Sequence, residues 1–257
     1  VHCPPHTVRG KVVVKASHYR KYPGREHSPG CRYDFARQAQ KLVVESRGQV
    51  VKRGEEYRLL LPDEAPPSSE VDDKGRPRAG NGPRLVVQRA ERALLGEAVA
   101  SARRVARLLH HFDHDPAAVD RFRAEYRGQV IAWPQFFYTN EHIPTLVERL
   151  LADALTHPVA VAGTVRRHGT ATSGSSFFVA DRPVPMRIGH RRIEVEPTVW
   201  TKDHAVHDDL VASGSWLAFG RWELYPRRIP TPRWVQLWVH GPWHYTTGRH
   251  VPKGTLG

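Results

Sequence analysis

The chain has 257 residues, with 39 Lys and Arg against 26 Asp and Glu, so its net charge is +13 and its sequence pI is near 10.2. Hydrophobic residues make up 40%, enough for a buried core and too many for a wholly disordered chain. No apolar run approaches the roughly 20 residues of a membrane helix, two cysteines exclude a disulfide-rich scaffold, and the excess of positive charge points to a polyanionic partner, nucleic acid by default.

In chain order, residues 12–14 form the first strand candidate. Asp34 is placed to cap a helix running to about residue 45, with Phe35, Ala39, Leu42 and Val43 on one face. Gly48 stops it. Residues 49–52 and 57–61 read as a hairpin turned at 53–56. Residues 63–83 are rich in Pro, Gly, Ser and charge and read as a linker. Residues 91–111 have helical spacing, with Leu94, Leu95, Val99, Ala102, Val105, Ala106, Leu108 and Leu109 in one broad stripe. Asp115-Pro116 is an N-cap followed by proline at the first helical position, which predicts a second helix through Tyr126. A dense apolar cluster follows at 130–138. A third helix near 141–155 carries Leu146, Val147, Leu150 and Leu151.

From residue 157 the pattern becomes β. Val159, Val161 and Val165 alternate, with Gly163 in phase at the place expected for a close approach or a bend. Residues 177–180 form a second strand. Residues 186–188 and 192–195 flank Gly189-His190 in a third, interrupted one. Residues 203–212 have helical spacing, and 216–225 and 234–240 are the last two strands. Three strands, a short helix and two strands resemble an OB-fold, a five-stranded barrel with its helix between the third and fourth strands.

The N-terminus carries a metal-like constellation. Cys3 and His6 are separated by two residues, His18 follows the first strand, and His27 and Cys31 are separated by three. Zinc takes four S or N ligands in a tetrahedron, and close pairs can bite one ion. Both cysteines lie within these 31 residues, which favours metal over a disulfide in a cytoplasmic protein. The expected structural Zn2+ set is Cys3, His6, Cys31 and one of His18 or His27. The run from Cys3 to Leu42 resembles the zinc-ribbon-like N-terminal module of competence CoiA-like proteins. Cys3 stands at the first ligand position, His6 replaces a cysteine, His18-Tyr19 matches a His-aromatic pair, and Cys31 precedes the helix. That resemblance implies a following metal-dependent nuclease, whose chemistry needs acids and a lysine on adjacent strands. Here Asp63, Glu64, Glu70, Asp72, Asp73 and Lys74 fall in the linker, and Glu55 and Glu56 at a turn. The nuclease does not carry over.

The C-terminal aromatics are the other constellation. In the last strand Val235, Leu237 and Val239 point one way and Trp234, Gln236, Trp238 and His240 the other. Bases of single strands stack on aromatics within a basic groove. The expected nucleic-acid residues are Phe177, Trp200, Trp216, Arg221, Trp222, Arg227, Arg228, Arg233, Trp234 and Trp238. The competing reading packs the tryptophans on a neighbouring domain. The run His110-His111-Phe112-Asp113-His114 reads as a helix end rather than a metal or nickase site.

The expected fold is α+β and multi-domain: a small zinc-bound module at 1–62, a linker at 63–83, a helical middle at 84–156, an OB-like five-stranded β-barrel at 157–242 and a tail at 243–257. Positive charge sits in residues 1–62 (+8) and 157–257 (+6), and the middle is near neutral (−1). The expected function is cytoplasmic binding of single-stranded DNA or RNA through both basic ends, without catalysis and without a membrane. A diverged nuclease and a scaffold that docks a protein partner on its Trp-rich face are the alternatives.

Overall fold

The computed structural model describes residues 31, 33–62, 90–188, 190–225 and 234–247, and the backbone alone at 2–3, 6–8, 11–13, 18–19 and 83–89. The chain divides into two compact units, Val1–Lys41 and Leu42–Gly257. In the first, strand β1 (His2–Cys3) pairs antiparallel with β4 (His18–Tyr19), and β2 (His6–Val8) with β3 (Lys11–Val13). Helix α1 (Phe35–Glu45) runs across the division. The Asp34 carboxylate caps it by accepting the Arg37 N–H at 3.1 Å.

The second unit opens with a four-stranded sheet. Strands β5 (Val50–Arg53) and β6 (Glu56–Leu61) form a hairpin. Helix α2 (Pro83–His111) then carries the chain to the one-turn helix α3 (Pro116–Val119), and strands β7 (Phe122–Tyr126) and β8 (Gln129–Ala132) complete the sheet. Its order is β5-β6-β7-β8, with β6 and β7 parallel. The stripe on α2 is real: Leu95, Ala98, Val99, Ala102, Val105, Ala106 and Leu109 are buried, while Leu94 stays exposed. Helix α2 packs on β6 and also on strands of the C-terminal sheet. One helix therefore serves two sheets.

The short helix α4 (Trp133–Phe136), strand β9 (Phe137–Tyr138) and helix α5 (Ile143–Leu151) lead into that second sheet. Its strands are β10 (Val159–Thr170), β11 (Ser176–Ala180), β12 (Val184–Ile188), β13 (Arg191–Thr201), β14 (Ser215–Gly220), β15 (Glu223–Tyr225), β16 (Trp234–Val239) and β17 (Tyr245–Thr247). Nine strands follow the order β15-β16-β13-β11-β10-β14-β17, with β12 on β13 and β9 on β10. The long β10 pairs β14 through its first half and β11 through its second, with an irregularity between Val165 and Arg167. Strands β13 and β16 are parallel. Helix α6 (His204–Ser213) joins β13 to β14. Asp203 caps it, accepting the Ala205 N–H at 2.9 Å, and Gly214 ends it at φ 68°. Gly163 is where the core closes: a Cβ there would stand 2.7 Å from that of Ala180 and 3.1 Å from the Trp216 ring.

The expected fold is corrected. The middle is not helical throughout: Phe122, Ala124 and Tyr126 alternate inward along a strand where a helix was expected, and that strand shares a sheet with the hairpin at 50–61. The C-terminal part is a nine-stranded sheet rather than a five-stranded barrel. Among the described residues no group of three or more His, Cys, Asp or Glu side chains could hold a metal ion, and of the expected zinc set only the Cys31 side chain lies among them. The result is a mixed α/β fold. Among the described residues no helix is long and apolar enough to cross a membrane.

The contact of α2 with the end of the chain makes stability depend on pH. Arg92 lies 4.5 Å over the Trp243 ring, and beside it the buried His244 accepts the His240 N–H on Nδ1 at 3.2 Å. Burial, followed by the charges of His240 and Arg92, pushes His244 down to about 4. Burial is also the main cause lowering His114, His157 and His240. Between the ordinary histidine value and these lowered ones, the unfolded chain binds protons that the native chain does not. Stability is therefore full near neutral pH and falls as pH drops from about 6.5 towards 4. His244 alone accounts for about 3 kcal/mol of that loss. Urea unfolding at pH 7.5 and pH 5 checks the sign. His244→Gln, whose amide oxygen can still accept the His240 N–H, is expected to flatten the dependence.

Candidate functional site

Along β13 the residues Ile193, Val195 and Val199 point into the core cluster, as do Phe178 on β11 and Val235, Leu237 and Val239 on β16. Their neighbours point to the other side of the sheet. Register then sets three aromatic rings in one row, since Phe177 is opposite Trp200 and Trp200 is opposite Trp238. Phe177 and Trp200 have ring centroids 5.3 Å apart at 47°. Trp200 and Trp238 stack at 5.7 Å and 26°. All three are half-buried. The row ends on Gly169, opposite Phe177, where a Cβ would meet the Phe177 ring at 2.9 Å. The missing side chain lets that ring lie over the β10 backbone. The Trp200 Nε1–H is out of solvent contact and without a partner.

A second row lies four residues back on β13. Glu196 is opposite Trp234, and Trp234 is opposite Tyr225. The Tyr225 and Trp234 rings stack at 5.7 Å, and the Trp234 Nε1–H donates to Glu196 Oε2 at 3.3 Å. Arg166 and Arg167 of β10 both reach the same carboxylate, Arg167 at 2.8 Å. Glu196 is 8% exposed, so its charge is compensated inside the protein by two guanidinium groups that remain partly in solvent. Between the rows the Gln236 amide donates to Glu223 at 3.0 Å. The face thus offers planar π surfaces beside positive charge.

On the same side of β13, towards its start, Arg192 stands opposite Arg187 of β12. Both are exposed, and among the described residues neither has an ion pair.

Of the residues expected from sequence, the fold brings together Phe177, Trp200 and Trp238, and places Trp234 in the second row. Trp216 and Trp222 are corrected. They are 0% and 3% exposed, stacked on one another at 6.1 Å within the core, where no ligand base can reach them. Strand β14 is buried on both faces because Phe219 on its far side meets Phe136 of α4 at 6.1 Å. Arg221 turns to the four-stranded sheet, 3.5 Å from the Tyr126 hydroxyl. Arg227, Arg228 and Arg233 lie outside the described residues. Arg166, Arg167, Glu196, Arg187 and Arg192 were missed. The alternation 192, 194, 196, 198, 200 along one strand was the signal that could have found Arg192 and Glu196.

Of the metal set, His27 lies outside the described residues, and Cys3, His6 and His18 are described only in their backbone. Cys3 and His18 are register partners in the β1–β4 pair. Cys31 is a free, half-buried thiol. The histidine run ends α2, with Asp113 and His114 both at positive φ and the His110 and His114 rings 5.8 Å apart. No protein-family model matches this chain, and no curated protein matches it.

Proposed function

We propose that the chain binds single-stranded DNA or RNA on the outer face of β11, β13 and β16, as a binding protein rather than a catalyst. The observation that carries this reading is the cross-strand row Phe177–Trp200–Trp238, half-exposed and bordered by Arg166 and Arg167. A base stacked on such a ring gains about 1–3 kcal/mol whatever its sequence, and guanidinium groups beside it meet the phosphates. The net charge of +13 favours approach of a polyanion. Ring spacing alone would also suit a protein partner; the density of arginine around the face favours phosphate.

Titration with fluorescein-labelled oligothymidylate and oligouridylate, followed by anisotropy and by tryptophan emission, tests the proposal. Binding should quench tryptophan emission and weaken steeply between about 50 and 200 mM salt. Absence of binding at low salt refutes it. Binding without quenching moves the site off the aromatic row. Capture of a protein with loss of that capture on mutating the row, but unchanged oligonucleotide affinity, would assign the face to protein docking.

A further inference from the structure

We infer that the β12–β13 hairpin is a second contact for the same nucleic-acid strand, with Arg187 and Arg192 gripping its phosphates. The inference rests on the reading above for the bases, but its own observation is the arginine pair. The two residues are direct cross-strand partners. Like charges directly opposite each other weaken a sheet, so pairing between the strands does not explain them.

Most other arginines on or beside the sheets have a carboxylate within reach, Arg191 next to Arg192 being an exception among the described residues. Arg53, Arg58 and Arg123 pair with Glu56 or Glu125, Arg121 with Glu55, and Arg166 and Arg167 with Glu196. Among the described residues Arg187 and Arg192 have no such carboxylate. The segment 182–195 holds four arginines and a single carboxylate, Glu194, and Glu194 is opposite Pro185 rather than an arginine. An anion supplied from outside is the missing partner, and a phosphate suits the planar guanidinium fork.

Position gives that anion a path. Arg192 and Trp200 are eight residues apart on one strand, an even separation, so they lie on one side of the sheet. At the usual strand rise this is about 26 Å. Glu196 lies between them, but its charge is taken up by Arg166 and Arg167. Glu194 is exposed on the path and has no cation partner among the described residues. A strand whose bases stack on Trp200 and Trp238 can therefore run along β13 and reach the hairpin with its phosphates, opposed only by Glu194.

The test is the salt dependence of oligothymidylate binding, about 20 nucleotides long so that it exceeds the usual site size, by the full chain and by Arg187→Gln/Arg192→Gln. Both side chains are exposed, and removing a like-charge pair leaves thermal unfolding at or slightly above the wild-type midpoint. The double variant should bind more weakly at low salt. Its slope of log affinity against log salt should fall by about 0.7 for each phosphate no longer gripped, about 1.4 for both. Tryptophan quenching at saturation should stay at the wild-type level, because the bases still stack. Glu194→Gln should tighten binding. If the wild type binds and quenches while the double variant keeps its affinity and slope, the hairpin role is overturned and the aromatic site stands. If the wild type shows no salt-sensitive binding, both fall.

Discussion

Trp216→Ala is expected to lose about 3–5 kcal/mol of unfolding free energy, the range for deleting a large buried aromatic. The upper half of that range applies. The side chain is 0% exposed and stacks on Trp222, and its ring lies against the β10 backbone at Gly163. Backbone on that side cannot move in to fill the hole, so the cavity persists. Trp216→Phe should cost much less, for two reasons: a ring still fills most of the space, and the indole N–H, buried without a partner, is removed along with its desolvation penalty. Urea unfolding followed by circular dichroism measures both variants, and an unchanged m-value would show that only the native state was altered. The folded fraction of Trp216→Phe should bind oligonucleotide as the wild type does. Loss of oligonucleotide binding at an unchanged urea midpoint would place Trp216 on the surface and contradict its burial.

The contrast between Trp216 and Trp200 shows how far the sequence could be read. Each tryptophan alternates with apolar neighbours along a strand, and nothing local separates them. What separates them is the packing on the two sides of each strand. Strand β14 lies between the core cluster and the aromatic residues of α4, so both of its faces are dry. Strand β13 has the cluster on one side, while on the other Arg192 and Glu194 are exposed and Trp200 is half-buried. Elements whose signals are local were legible: the α2 stripe, the Asp34 cap of α1, the helical spacing of 203–212, the 53–56 turn and the alternation on β16. Residues 116–126 were not. Asp115 and Pro116 do start a helix, as the cap predicts, but it lasts one turn. The parallel partner that makes 122–126 a strand is β6, more than sixty residues earlier in the chain. Long-range pairing of this kind outweighs a good cap, because burying Phe122, Ala124 and Tyr126 contributes more than a further turn of helix. The arginine pair is an intermediate case. Residues 186–195 were read as one interrupted strand around Gly189-His190. Folded back as a hairpin, the same residues bring Arg187 and Arg192 face to face.

Trp200→Ala should weaken oligothymidylate binding by about 5- to 150-fold, the equivalent of 1–3 kcal/mol for one stacked base. Trp200 carries more than its neighbours because it is the middle ring, in contact with Phe177 on one side and Trp238 on the other. Its loss removes one platform and unsupports two. Trp238→Ala should therefore cost less than Trp200→Ala. The double variant should cost less than the sum, since residues in direct contact are coupled. Trp200→Phe keeps a ring in the row and should recover most of the affinity, which a merely electrostatic site would not require. The salt slope makes the assignment specific. An aromatic side chain releases no counterions, so Trp200→Ala should shift the whole affinity-against-salt line down without changing its slope. The arginine pair should change the slope itself. A Trp200→Ala variant that binds as tightly as the wild type, with its fold intact by circular dichroism, would remove the aromatic row from the site.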